Sequence, residues 1–212
     1  MTAPGWPPVS SRCGWAAALP KPRLEALLSD VAACRLCADA LPLGPRPVVR
    51  LDPRARLLII GQAPGTKVHE TGLPWNDRSG DQLRAWLGLD RAAFYDQSRV
   101  AIMPMGFCYP GRDKNGGDAP PRPECAPHWH PRLRPQLKAV RLTLLVGAYA
   151  QARYLGTRSM TETVRGFAAF GPDFFPLPHP SWRNTAWQKR QPWFAAEVLP
   201  ALRARLAALW AA

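Results

Sequence analysis

Runs of consecutive apolar residues, broken or closed by glycine or proline, constrain the fold of this chain most. They lie at 56–61, 99–105 and 141–147, with a shorter fourth run near 174–178. Segments with helical periodicity lie at 22–38, 79–89, 127–139, 148–155 and 192–210. Strands that are apolar at every position are typical of parallel sheets covered on both faces. The pattern therefore predicts an α/β fold, a three-layer αβα arrangement around a central four-stranded, mainly parallel sheet.

Length and charge narrow the class of protein. A chain of 212 residues with 47% hydrophobic residues can bury one substantial core, so we expect a flexible tail over 1–20 and one domain over 21–212. The net charge of +13 favours a polyanionic partner, with a basic surface kept for solubility as the alternative. No apolar stretch approaches the roughly 20 residues of a membrane span. We expect a soluble, cytoplasmic and monomeric protein that does not contact membranes.

Two polar loops follow the first and the last predicted strand. The first reads "GQAPG" at 61–65, and its glycines allow backbone amides to approach a ligand closely. The second reads "HPSWRN" at 179–184, and no acidic residue occurs between Phe174 and Ala196. Because open α/β sheets bind ligands beyond the carboxyl ends of their strands, we predict that both loops border one site. An ordinary strand-to-helix turn and a structural histidine are the alternatives.

Four of the five cysteines form two pairs. Cys34 and Cys37 precede the first strand, and Cys108 and Cys125 bracket the loop after the second. Four thiolates hold either an iron-sulfur cluster or a tetrahedral zinc ion, and the sequence does not separate the two. The segment "CAPHWH" at 125–130 also permits a mixed zinc site, and small buried apolar cysteines are a further alternative. Without a secretion signal, disulfides are not expected.

Taken together, the two loops resemble the motifs of the uracil-DNA glycosylase superfamily, in its iron-sulfur branches. One branch carries "GEAPG", where this chain has Gln62 in the second position. The "NDRSG" at 76–80 and the "HPSxxN" form of the last loop are nearer to a second branch. The resemblance covers about residues 24–205. The cysteine pairs are arranged similarly to the cluster ligands of these branches, which implies a 4Fe-4S cluster of structural role held by Cys34, Cys37, Cys108 and Cys125.

The resemblance implies a monofunctional DNA glycosylase that hydrolyses the N-glycosidic bond of uracil or a related deaminated base in single- or double-stranded DNA. His179 would stabilise the leaving base, Asp77 would handle the water or the sugar cation, and Trp75 would stack on the flipped base. Gln62 completes the expected catalytic set. The expected base-binding residues also include Gly61, Ala63, Pro64, Gly65, Pro104, Ser181 and Asn184. The expected DNA contacts are Trp182, Arg183, Lys189 and Arg190.

Departures from the family pattern keep other functions open. Pro104 stands where uracil-specific relatives carry an asparagine that reads the base edge, and a proline makes no such contact. Asp77 also suits the N-cap of the helix that starts near Ser79. The first alternative is a non-catalytic reader of damaged or single-stranded DNA on the same fold, and the second is a hydrolase of free nucleosides. The sequence leaves the base, the strand preference and the oligomeric state undetermined.

Overall fold

A computed structural model of the protein describes residues 23–114, 116–157 and 159–211. The predicted tail over 1–20, which contains Cys13, lies outside these ranges. The described strands are β1 (Leu57–Ile60), β2 (Val100–Ile102), β3 (Leu142–Val146) and β4 (Phe174–Leu177). They form one sheet in the order β2-β1-β3-β4, and every neighbouring pair is parallel. The predicted four-stranded sheet is confirmed, and it is parallel throughout.

Helices flank the sheet on both faces. In the described ranges they are α1 (Leu24–Ala32), α2 (Thr66–Thr71), α3 (Arg78–Leu87), α4 (Arg91–Tyr95), α5 (Cys125–Leu133), α6 (Ala148–Leu155), α7 (Met160–Arg165), α8 (Thr185–Arg190) and α9 (Leu199–Ala211). Short 3-10 turns lie at Ala38–Ala40, Arg134–Gln136, Phe167–Phe170 and Trp182–Asn184, and a π-helical turn lies at Phe194–Val198. Of the helices described, none has the length and apolar character that would allow it to cross a lipid bilayer.

Side chains of β1 alternate between the two faces of the sheet and are buried on both. Leu57 and Ile59 belong to a core that also contains side chains of α3, α7 and α9. Leu58 and Ile60 belong to a second core, which contains side chains of α1, α5 and α6. The sheet is therefore the middle layer of three. Burial on both faces explains why the strand sequences are apolar at every position.

Capping residues and prolines set several helix boundaries. Asp77 begins α3 by accepting the Gly80 N–H at 2.8 Å. The predicted helix at 127–139 ends earlier, at Leu133, because Pro135 has no N–H to continue the ladder, and a 3-10 turn follows. The predicted helix at 192–210 is divided into the π-helical turn and α9. Pro200 accounts for this division, since it cannot donate to the carbonyl of residue 196.

Candidate active site

One cavity collects most of the residues predicted from the two loops. It has a volume of about 410 Å³ and lies beyond the carboxyl ends of β1 and β4, which the two loops follow. The predicted residues that line it are Gly61, Gln62, Ala63, Pro64, Gly65, Trp75, Asp77, Pro104, His179, Ser181, Trp182, Arg183 and Asn184. Lys189 and Arg190 lie on α8 and do not line the cavity.

Other lining residues were not part of the sequence-based site. They are Val48, Val68, Pro74, Ser79, Ile102, Gly116, Gly117 and Asp118. Most are apolar or glycine, but Asp118 adds a second carboxyl beside that of Asp77. It lies in the loop that follows β2, whose carboxyl end meets the same edge of the parallel sheet as that of β1. That position after a strand is the signal by which sequence reasoning would have found Asp118.

The indole of Trp75 packs against bare backbone in the GQAPG loop. A Cβ atom placed on Gly61 would lie 2.7 Å from Cζ2 of Trp75, so any side chain at Gly61 would collide with the ring. The ring of His179 lies beside the indole, with 5.6 Å between centroids and 33° between planes. Gly61 is therefore required by the packing of Trp75, and two aromatic rings form one side of the cavity.

The backbone of Trp75 is held in an unusual conformation. Its φ is 57°, in the left-handed region that aromatic residues rarely adopt. Arg84, which is buried, donates from Nη1 to the Trp75 carbonyl at 3.2 Å, and the Tyr95 hydroxyl donates to the Pro74 carbonyl at 2.9 Å. A Cβ atom on Gly80 would overlap the Trp75 carbonyl oxygen. Several independent contacts thus fix the strained residue, as such conformations require.

The two carboxyl oxygens of Asp77 have different surroundings. Oδ1 accepts the Gly80 N–H and caps α3. Oδ2 lies 4.0 Å from the position that a Cβ atom on Gly65 would occupy. The structure therefore shows the N-cap contact that was the structural alternative for Asp77, and it also places this carboxyl on the wall of the cavity.

His179 is positioned by its loop and kept neutral by burial. The Nδ2 amide of Asn184 donates to the His179 carbonyl at 2.7 Å, so this hydrogen bond links the two ends of the HPSWRN loop. Burial lowers the pKa of His179, and the negative charge of Asp77 opposes that effect. An imidazole with a lowered pKa carries no charge at neutral pH and retains one N–H donor.

Gln62 ties the GQAPG loop to the loop after β2. Its Nε2 donates to the Ala119 carbonyl at 3.1 Å, and its backbone carbonyl accepts the Gly106 N–H at 2.9 Å. The donor end of the Gln62 side chain is thus engaged within the protein. Pro104 lines the cavity without a donor of its own, as its residue type dictates.

A buried histidine supports the Pro104 segment from outside the cavity. His130 Nε2 lies 3.0 Å from the Pro104 carbonyl, and its Nδ1 lies 2.6 Å from the Tyr154 hydroxyl. Because a carbonyl only accepts, Nε2 carries the proton and Tyr154 donates to Nδ1. Burial lowers the pKa of His130 to about 4, so the ring is neutral in the folded protein near pH 7.

Two side chains of the HPSWRN loop extend away from its backbone. Trp182 is 79% exposed, which is unusual for a large hydrophobic side chain. The Arg183 guanidinium occupies the space where a Cβ atom on Gly117 would lie, so it packs against the loop that follows β2. Arg183 therefore joins two loops across the cavity, while the Trp182 indole remains open to solvent.

Cys34, Cys37, Cys108 and Cys125, the cysteines of the two sequence pairs, line a second, separate cavity. All four are free thiols. Burial raises the pKa of Cys108 to about 11 and that of Cys125 to about 12, and Cys34 and Cys37 contribute repulsion to both. The Phe107 N–H donates to Cys125 Sγ at 3.3 Å. Across the described ranges, no three His, Cys, Asp or Glu side chains are grouped so as to hold a metal ion.

Four thiols are the donor set that a sulfur-ligated group requires, and they line one cavity, although they are not grouped as ligands of one metal ion in this structure. The volume of this cavity is about 10 Å³, close to that of one water molecule.

Comparison with known proteins identifies the family. Residues 49–203 match the model of the uracil DNA glycosylase superfamily, and the chain belongs to that superfamily. A solution NMR structure of a candidate uracil DNA glycosylase from Methanosarcina acetivorans is similar at 17% identity with a TM-score of 0.42, covering 76% of this chain and 97% of the other. The crystal structure of SMUG2 from Pedobacter heparinus is similar at 14% identity with a TM-score of 0.41, covering 71% of this chain and 75% of the other.

Proposed function

We propose that this protein is a monofunctional DNA glycosylase that removes uracil or a related deaminated base. The observation that carries the proposal is the convergence of the GQAPG loop, Trp75, Asp77 and His179 on one cavity of about 410 Å³, in a member of the uracil DNA glycosylase superfamily. No lysine is among the described residues that line this cavity. A lyase that acts through a Schiff base needs such an amine, so simple hydrolysis is the better-supported reaction.

The base must leave the DNA stack, at a cost of a few kcal/mol, before it can enter the cavity. In the proposal, the flipped base stacks on Trp75, and backbone amides near Gln62 and Ala63 bind its carbonyl groups. The fixed orientation of Trp75 supports this role, because a rigid aromatic surface binds a planar ring without first losing conformational freedom. Pro104 contributes no edge-reading hydrogen bond, which favours a base range wider than uracil alone.

Breaking the glycosidic bond leaves negative charge on the base and positive charge on the sugar. His179 donates a hydrogen bond to the departing base, an interaction of the oxyanion-hole type that supplies a few kcal/mol. A neutral imidazole suits this role, and the lowered pKa of His179 supports it. Oδ2 of Asp77, the oxygen that does not cap α3, stabilises the sugar cation or holds the attacking water.

The DNA duplex or strand lies against the rim of this cavity in the proposal. Trp182 is exposed at the rim and suits a wedge between bases. Arg183, Lys189 and Arg190 bind phosphates, in keeping with a chain whose net charge is +13.

We also propose that Cys34, Cys37, Cys108 and Cys125 hold a 4Fe-4S cluster. Four free thiols that line one cavity support this assignment, as does the N–H donor on Cys125 Sγ. The cluster supplies a cross-link between the segment after α1 and the loop that leads into α5. Tetrahedral zinc on the same thiols is the alternative.

The test of function is alkali-dependent strand cleavage of labelled oligonucleotides that carry uracil, hypoxanthine or xanthine, in single- and double-stranded form. Asp77→Asn is the sharper control than Asp77→Ala, because asparagine preserves the cap on α3 while it removes the charge. Cleavage by the wild type that is lost in Asp77→Asn supports the proposal. Tight, salt-sensitive binding without cleavage of any base would instead support a non-catalytic DNA reader.

A further inference from the structure

Asp118 and Asp77 approach the same point of the cavity wall from two different loops. The Asp118 Oδ2 atom lies 3.3 Å from the position that a Cβ atom on Gly65 would occupy, and the Asp77 Oδ2 atom lies 4.0 Å from it. Both carboxyls line the cavity. Because Gly65 has no side chain, nothing from that residue separates the two acids.

The carboxyl of Asp118 is free to act on a substrate. It forms no hydrogen bond or ion pair with any residue in the described ranges. By contrast, Oδ1 of Asp77 caps α3, and the side-chain amide of Gln62 donates to the Ala119 carbonyl. The residue as a whole is exposed, so solvent water and a sugar that enters the cavity can both reach its carboxyl. Of the two acids, Asp118 is therefore the one with both oxygens available.

Burial and neighbouring charges act on the carboxyl of Asp118. Partial burial raises the pKa of Asp118, and the nearby carboxylates of Asp77 and Asp113 raise it further. The guanidinium groups of Arg112 and Arg183 act in the opposite direction. A carboxylate with a raised pKa is the stronger base, and a pair of acids in unlike surroundings often divides two catalytic roles.

We propose that Asp118 is the general base of the glycosylase reaction and that Asp77 is the electrostatic partner, an inference that rests on the proposed function. As the bond between C1′ and the base nitrogen breaks, its electron pair leaves with the base, and C1′ becomes cationic. The carboxylate of Asp77, fixed by Gly80, stabilises that cation. A water oxygen then bonds to C1′, and Asp118 accepts the water proton, which it later releases to solvent.

The test is single-turnover cleavage by Asp118→Asn across pH, using the modified base that the wild type removes fastest. Loss of a general base lowers the rate about 100-fold. The acid limb of the wild-type profile, where Asp118 becomes protonated, disappears in Asp118→Asn. Asp118→Glu, which keeps a carboxylate, restores part of the rate and retains an acid limb. A merely structural role for Asp118 would leave the shape of the profile unchanged.

A matched control corrects for the change in net charge. Asp90→Asn also removes one carboxylate, but Asp90 caps α4 away from the cavity, where asparagine caps equally well. This variant keeps the wild-type rate and profile. If Asp118→Asn cleaves at a rate within about threefold of the Asp90→Asn rate and its pH profile keeps the acid limb, the proposed role of Asp118 is wrong, while the proposed function stands. A wild type that removes none of the three bases overturns the proposed function, and the role of Asp118 with it.

Discussion

Asp77 has both a structural and a proposed chemical role, and the two are separable because they use different oxygens. Sequence reasoning set the cap and the catalytic role against each other as alternatives. The structure shows the cap through Oδ1 and leaves Oδ2 on the cavity wall. A residue-scale prediction can therefore distinguish loss of the cap from loss of the charge.

Replacing Asp77 by alanine removes the cap, and we expect the free energy of unfolding to fall by about 1 kcal/mol. Replacing it by asparagine preserves the cap, so the fall is only a few tenths of a kcal/mol. Urea unfolding of both variants beside the wild type measures the difference. Equal stability of the two variants would contradict the capping role.

His130 predicts a pH dependence of stability. Its pKa is lowered from 6.5 to about 4 in the fold, so the unfolded chain binds the proton more readily. This contribution is fully present above pH 6.5 and is lost as the pH falls toward 4. We expect the loss of this contribution to lower the free energy of unfolding by roughly 2 kcal/mol between pH 7 and pH 5.

The control for His130 is His130→Gln, which retains a donor for the Pro104 carbonyl but does not titrate. Urea unfolding at pH 7 and pH 5 should show a smaller loss of stability in this variant than in the wild type. The same loss in both proteins would mean that other groups cause the pH dependence.

At the scale of elements, the first turn of α3 packs directly against the backbone of Trp75. Gly80 lies in the first turn of α3, where a Cβ atom would overlap the Trp75 carbonyl oxygen. We expect Gly80→Ala to lower the free energy of unfolding by about 3 kcal/mol, because the overlap is with backbone that cannot rotate away.

The matched control is Gln82→Ala on the exposed face of the same helix, which should change stability by no more than about 0.5 kcal/mol. Thermal or urea unfolding measures both variants. A Gly80→Ala protein as stable as the control would show that the left-handed Trp75 conformation is not required.

The sequence was most informative about the strands and the longer helices. All four strands were predicted because their apolar runs are continuous, and the helix at 148–155 was predicted with the bounds that the structure shows. The helices α2, α4, α7 and α8 were not, since five or six residues are too few to establish a period. The place of Asp118 in the loop after β2 was visible in the sequence, but its approach to Gly65 is a contact between distant parts of the chain that no local pattern encodes.

At the scale of the whole molecule, the excess of positive charge predicts strongly salt-dependent DNA binding. Each phosphate contact on duplex DNA contributes about 0.9 to the slope of log affinity against log salt. We expect Lys189→Ala and Arg190→Ala each to lower the slope by about that amount, as measured by fluorescence anisotropy on one oligonucleotide. Unchanged slopes in both variants would place α8 away from the DNA backbone.

A bound cluster would link distant segments, so its removal should affect the entire fold. We expect wild-type protein purified without oxygen to contain iron and sulfide, and Cys108→Ala to lose both and to unfold at a lower temperature. Cys13→Ala serves as the matched control and should retain the metal. Zinc without iron in the wild type would establish the tetrahedral alternative, and protein without either metal would contradict a metal site.

The order of the strands sets the distance between the two loops of the candidate site. The GQAPG loop follows β1 and the HPSWRN loop follows β4, and β3 lies between these two strands. Neighbouring strands are about 4.8 Å apart, so the two loops start roughly 10 Å from each other. This separation is set by the backbone hydrogen bonds of the sheet. In the proposed glycosylase, changes in the residues of the two loops can therefore alter which base is bound, while the distance between the starting points of the loops stays constant.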